Sequence, residues 1–197
     1  MVSALRPLRT ASLHPLSLAA VTPFAPFAPL ATASRTPRVH RMVHTEAKIE
    51  ELGLSLPAMP QPLASYTPIV QTGSLVYLSG HVPFTADMKQ LHVGKVGKEY
   101  TTEEAAAFAE FIGLELVSTL KAHVGDLDKV TRIVKLVGFV NCVDTYTEQP
   151  EVINGCSNII GKIFGAERGT HARSAVGTNS LPRNVPVEIE MIAEING

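Results

Sequence analysis

A chain of 197 residues, 45% hydrophobic and 18% charged, has room for one globular domain and an extension. Residues 1–45 hold five arginines, no lysine and no acid, whereas from Glu46 onward 12 Lys and Arg stand against 18 Asp and Glu, a net charge of −6. That acidic balance disfavours nucleic acid, whose phosphates are bound mainly through clustered Lys and Arg. Two cysteines, Cys142 and Cys156, are too few for a disulfide framework and match no metal spacing.

Arg6, Arg9, Arg35, Arg38 and Arg41 lie among Ser, Thr and small apolar residues, the composition of a mitochondrial transit peptide. A membrane span over 10–34 would be interrupted by Pro15, Pro23, Pro26 and Pro29, and proline inside a helix costs about 3 kcal/mol. A secretory signal would place Arg6 and Arg9 before an apolar core and cut near Ala31-Thr32-Ala33, but that core is short and broken by proline. The expectation is a disordered address over 1–45, mitochondrial import, and a domain over 46–197 with its core in 64–197. Translation from Met42 would instead give a cytoplasmic protein.

In chain order, Glu46–Leu54 reads as a short helical turn, followed by a connector with Pro57, Pro60 and Pro62. Tyr66–Gln71 and Leu75–Gly80 are β-like runs around Thr72-Gly73-Ser74, a hairpin signal. A weak strand is predicted around Leu91–Val96. Thr101–Val124 carries the strongest helix signal: Thr101 and Glu104 have capping-box spacing. Ala105, Phe108, Ala109, Ile112, Leu116 and Leu120 form an apolar stripe, and Gly125 supplies the stop. Val130–Val143 is β-rich and largely apolar on both faces from Ile133 through Val140. A second helix is predicted over Gln149–Phe164, ended by Gly165.

The last segment follows a Gly/His/Arg stretch and the Leu181-Pro182 break. From Val185 it alternates, with Val187, Ile189, Met191, Ala193 and Ile195 on one side and Glu188, Glu190 and Glu194 on the other. The order ββ(β)αβαβ specifies an α+β fold, a mixed sheet with two helices packed on one face. Its other face needs cover, which points to self-association. Arg173 followed by a carboxylate on a rigid strand suits a small carboxylate held beside an acid/base group.

The segment YTPIVQTGSLVYLSGHVP (residues 66–83) and the ending HARSAV…LP…VPVEIEMIA resemble the YjgF family, also called reactive intermediate deaminases (Rid) or endoribonuclease L-PSP-like proteins. The branch with HARSAV before the last strand and QPEVINGCS on the second helix is the most similar. The resemblance covers roughly residues 64–197. It implies a chorismate-mutase-like homotrimer with a central barrel and sites between subunits. It also implies hydrolysis of 2-imino or enamino acids to 2-keto acids and ammonia, with neither metal nor organic cofactor. By residue, it assigns carboxylate binding to Arg173, the ligand's nitrogen end to Tyr66, the cleft-lining turn to Ser79 and Gly80, the catalytic water to Glu188, and a further contact to Asn154. His171, Ala175 and His81 depart from the commonest family pattern.

Arginine offers a carboxylate two parallel charge-assisted bonds, and a glutamate held partly buried can serve as general base. Each assignment has a plainer alternative: an ion-pair partner for Arg173, a solvent-facing or intersubunit position for Glu188, a packing role for Tyr66 and a turn role for Ser79. His81 and His171 read as satisfied polar residues, and no histidine spacing suggests a metal. Three functions are in play: a 2-iminobutanoate/2-iminopropanoate deaminase, a non-catalytic trimer that binds small carboxylates, and an L-PSP-type endoribonuclease, the last disfavoured by charge. The expected partners are a 2-imino or 2-keto carboxylate and further copies of the chain, without a membrane.

Overall fold

The computed structural model describes residues 44–59 and 65–196. The chain divides into two units, Met1–Val39 and His40–Gly197, and every described residue belongs to the second. The expected transit segment therefore lies outside the described residues, apart from His44 and Thr45. None of the described helices is long and apolar enough to cross a membrane.

Five strands form one mixed sheet: β1 (Ile69–Thr72), β2 (Leu75–His81), β3 (Val130–Asn141), β4 (Ala172–Thr178) and β5 (Val187–Ile195), in the spatial order β1-β2-β5-β3-β4. All pairings are antiparallel except β3 with β4. The alternation of the last strand is realised as expected. Val187, Ile189, Met191, Ala193 and Ile195 are buried, and β5 fits between β2 and β3.

Helices α1 (Thr45–Glu51), α2 (Thr102–Val124) and α3 (Gln149–Gly169) accompany the sheet. The capping box forms in full: Glu104 N–H donates to Thr101 Oγ1 at 3.2 Å, and Thr101 N–H to Glu104 Oε2 at 2.9 Å. Gly125 ends α2 in the left-handed region at φ 76°. Close approach of α2 and α3 depends on small residues. A Cβ at Gly155 would lie 2.0 Å from the Ala106 carbonyl oxygen, and one at Gly113 2.5 Å from Ile159. On β3, a Cβ at Gly138 would strike Ile153 of α3 at 2.5 Å, so α3 rests directly on the sheet.

Two expectations need correction. Leu91–Val96 is not a strand; it makes only isolated bridges, Leu91 with Phe84 and Val96 with Tyr100 and Cys142. Its backbone groups pair at scattered points, Gly94 N–H with the Asn184 carbonyl and Val96 N–H with the Asn141 carbonyl at the end of β3. The second long helix does not stop at Gly165. That residue breaks the helical geometry at φ 71°, ψ 173°, and a further turn runs on to Gly169. The Gly/His/Arg stretch holding Arg173, to which the order ββ(β)αβαβ gives no element, forms the edge strand β4.

α1 docks through Thr45, which is fully buried. Asp128 Oδ1 accepts from Thr45 N–H at 3.0 Å and from its hydroxyl at 2.5 Å, and Arg168 Nη2 donates to Thr45 Oγ1 at 2.8 Å. The sheet face away from α2 and α3 exposes Val70 (53%), Tyr77 (42%) and Val176 (46%). This is the apolar face that the sequence leaves without cover.

Candidate functional site

Tyr66, Ser79, Gly80 and Glu188 line one cleft of about 470 Å³. A bulge in β2 builds it. Leu78 pairs with Met191 and His81 with Ile189, so β2 carries one residue more than β5 between the two pairs. Ser79 and Gly80 are the residues released from regular pairing, and bulges commonly re-aim a strand in this way. Ser79 N–H donates to the Pro68 carbonyl at 3.0 Å and its hydroxyl to the Thr67 carbonyl at 2.9 Å, tying down the segment that carries Tyr66. With its proton committed, Ser79 Oγ retains lone pairs to accept a ligand N–H.

Glu188 lies over Gly80 so closely that a Cβ there would sit 1.9 Å from Oε1. The carboxyl is half-buried. Burial holds its pKa above the ordinary glutamate range, and the neighbouring Glu190 charge raises it further. Glu190 also lines the cleft, two residues along the same strand face.

His81, next in β2, is buried. Its Nδ1 lies 2.8 Å from the Ser79 carbonyl, which can only accept, so Nδ1 carries the proton and Nε2 accepts from the Thr119 hydroxyl at 2.8 Å. Burial lowers its pKa and keeps the ring neutral. The side chain is a satisfied strut between α2 and the bulge, as the sequence suggested.

Arg173 and Asn154 are elsewhere. Arg173 Nη1 donates to Asn154 Oδ1 at 2.8 Å and to Ser157 Oγ at 3.1 Å. Ser157 Oγ lies 3.1 Å from His171 Nε2, and His171 Nδ1 lies 2.6 Å from the Gly169 carbonyl. Since that carbonyl only accepts, the protons run in one sense: His171 donates to Gly169, Ser157 to His171, and Arg173 to Ser157. One edge of the guanidinium is thereby fixed. Its Nη2 and Nε have no hydrogen-bond partner among the described residues and remain open to a planar anion.

The sheet register explains the separation. Leu78, Met191, Leu136 and Arg173 are successive partners across the sheet, and the first three are buried beneath the helices. Glu188 pairs with Phe139, and Phe139 with Val176 on the open face. Arg173 and Glu188 therefore occupy opposite faces, and a single chain does not bring them together.

Three contributors escaped the sequence. Ser157 stands three residues after Asn154 on α3, an i,i+3 relation that could have flagged it. Glu190 follows from the alternation of β5. Arg183 lines the cleft from the loop before β5 and carried no recognisable signal. The carboxylates Glu46, Asp126 and Asp128 lie within 4.8 Å of one another, but Glu46 and Asp128 hold α1 in place and Asp126 caps the turn beside it. Glu46 accepts from Leu127 N–H at 3.0 Å, Asp126 from Asp128 N–H at 2.9 Å, and Asp128 from Thr45.

Residues 46–195 match the family model described as "YjgF/chorismate mutase-like, putative endoribonuclease". The protein TCP17 of Trypanosoma cruzi is 40% identical over 150 residues, 76% of this chain and 93% of that protein. A 2-iminobutanoate/2-iminopropanoate deaminase of Dermatophagoides farinae is 28% identical over 142 residues, covering 72% and 94%. Among solved structures, Atu1372 of Agrobacterium tumefaciens, described as of unknown function, superposes with a TM-score of 0.70 at 40% identity, covering 78% of this chain and 94% of that one.

Proposed function

For a chain that belongs to the YjgF/chorismate mutase-like family, we propose hydrolytic deamination of 2-imino acids to 2-keto acids and ammonia, in sites shared between copies of a homotrimer. The observation that carries this reading is the cleft where Glu188 rests on Gly80 beside Tyr66 and Ser79. A half-buried carboxyl of raised pKa, with hydroxyl groups around it, is the equipment for moving protons between water and a reacting nitrogen. The 28% identity to an iminobutanoate/iminopropanoate deaminase supports the same chemistry.

Arg173 on the edge strand β4 of one copy supplies the carboxylate fork to the cleft of its neighbour. The exposed Val70, Tyr77 and Val176 supply apolar surface for that association. With the ligand carboxylate clamped, C2 is held in a fixed position and several kcal/mol of barrier, on the order of those gained by orientation, are removed in advance. Water oxygen bonds to C2 while the C=N π pair moves to nitrogen, and Glu188 takes a proton from the water. That proton passes to nitrogen, Glu188 then takes the hydroxyl proton and delivers it to the same nitrogen, and the C2–N bond breaks with its electron pair leaving on ammonia as the carbonyl forms. Tyr66 and Ser79 orient the nitrogen through these steps.

The acid-free, arginine-containing residues 1–45 support mitochondrial import as the setting. An endoribonuclease fits less well, because the domain is net acidic. The test is ammonia release from freshly generated 2-iminopropanoate and 2-iminobutanoate. Acceleration by the wild-type chain that is lost in Arg173→Ala and Glu188→Gln supports the reading. Binding of 2-ketobutyrate in a calorimeter without any acceleration would instead identify a non-catalytic carboxylate-binding trimer.

A further inference from the structure

Arg183 lines the same cleft as Tyr66, Gly80 and Glu188. It is exposed, and its side chain makes no hydrogen bond or ion pair among the described residues, although two carboxylates border the cleft. Its backbone lies at φ 55°, ψ 17°, and Asn184 follows at φ 57°. Two successive residues other than glycine in the left-handed region are unfavourable, and such a conformation persists only where its surroundings impose it.

The surroundings do impose it. Asn141, fully buried, donates through Nδ2 to Asn184 Oδ1 at 3.0 Å and to the Val185 carbonyl at 3.1 Å. Lys95 Nζ in turn donates to Asn141 Oδ1 at 2.9 Å, and Gly94 N–H to the Asn184 carbonyl at 2.8 Å. A buried amide and a lysine thus hold a strained loop whose result is an uncommitted guanidinium on the cleft wall. The cleft is also roomy. About 470 Å³ lies within the range of roughly 300–1,000 Å³ typical of small-molecule sites.

We infer that Arg183 is a specificity-determining residue that takes a second, distal acidic group, so that the preferred ligands are 2-imino and 2-oxo dicarboxylates. The imine half of this assignment rests on the deaminase reading above; the dicarboxylate half rests on the cleft and on the neighbouring copy that brings Arg173 to it, not on hydrolysis. Clamped at one end by Arg173 of a neighbouring copy, such a ligand would span the cleft to Arg183, with C2 beside Glu188.

The test compares 2-oxoglutarate with 2-oxobutyrate by calorimetry, and the imines of glutamate and 2-aminobutyrate by ammonia release. Arg183→Gly is the chosen variant, because glycine accepts φ 55° without strain and the loop is retained. The wild-type chain should bind 2-oxoglutarate roughly tenfold or more tighter than 2-oxobutyrate, as a charge-assisted bidentate pair allows. Arg183→Gly should reduce that ratio toward one. Equal affinities in the wild type, no measurable binding of either acid, or an unchanged ratio in the variant would each overturn the assignment. Dicarboxylate binding that depends on Arg183, with no imine hydrolysis, would uphold it and sink the deaminase reading. Imine hydrolysis with no dicarboxylate preference would do the reverse.

Discussion

Gly80 and Glu188 are packed so tightly that the smallest side chain at position 80 would overlap the glutamate carboxyl: a Cβ there would come within 1.9 Å of Oε1. The obstructing atom is the end of a flexible side chain, so Gly80→Ala should fold and push the carboxyl aside. Loss of a positioned general base typically costs about 10²–10⁴-fold in rate. Gly80→Ala should therefore lower imine hydrolysis by roughly hundredfold or more, close to the effect of Glu188→Gln, with little change in melting temperature. Full activity in Gly80→Ala would show that the place of this carboxyl is immaterial.

The opposite-face placement of Arg173 and Glu188 gives a sharper test. If each site takes its arginine from one copy and its glutamate from another, two dead variants can rescue each other. Arg173→Ala and Glu188→Gln, co-expressed in equal amounts and assembled at random into a closed ring, leave about a quarter of sites with both groups intact. Co-expression should recover about that share of wild-type ammonia release. Mixtures no more active than either parent would place both residues outside a shared site.

Much of this architecture was legible because it is local. The capping box of α2 needs only Thr101 and Glu104, and the alternation of β5 needs only the period of an extended chain over a buried face. β4 was not legible. As an edge strand it has intermediate or exposed residues throughout, so no alternation marks it. Leu91–Val96 misled for the converse reason, since Val96 is buried while the segment's backbone bonds go to scattered points, Gly94 to Asn184 and Val96 to Asn141, rather than along one strand. Tyr66, Ser79, Gly80 and Glu188 meet through a bulge and a hairpin near their own strands. The separation of Arg173 from them depends on the order β2-β5-β3-β4, which no short motif encodes. Arg183 was hidden because left-handed backbone is read from glycine, and here the strain is imposed from a distance by Asn141.

The clamp on α1 should matter for stability. Arg168 donates to Thr45 Oγ1 at 2.8 Å and to the Val130 carbonyl at 3.1 Å, and Asp128 receives both donors of Thr45. Arg168→Ala leaves buried acceptors without a partner, at a cost of about 1–3 kcal/mol. Urea denaturation should report that loss, and removal of residues 1–49 should give a similar one. A truncation as stable as the full chain would show that α1 is dispensable.

Glu115 is fully buried in α2, and neither carboxyl oxygen has a hydrogen-bond partner among the described residues. Burial pushes its pKa up to about 8, against a smaller opposing pull from the Phe84 N–H, which falls short of hydrogen-bond geometry. The unfolded chain titrates near the ordinary glutamate value of about 4.3. Between those two values the folded chain holds a proton that the unfolded chain has lost, so stability falls as pH rises. Glu115's contribution is complete below about pH 4.3 and is lost progressively as pH climbs through about 8. Each tenfold difference in proton affinity is worth about 1.4 kcal/mol, so the loss is on the order of several kcal/mol. Glu115→Gln cannot titrate, and it keeps His81, whose own lowered pKa acts in the opposite sense at lower pH. The difference between wild type and variant thus isolates the carboxyl: denaturation at pH 5 and pH 9 should favour the variant increasingly at the higher pH, and parallel profiles would mean that Glu115 ionises as freely in the folded chain as in the unfolded one.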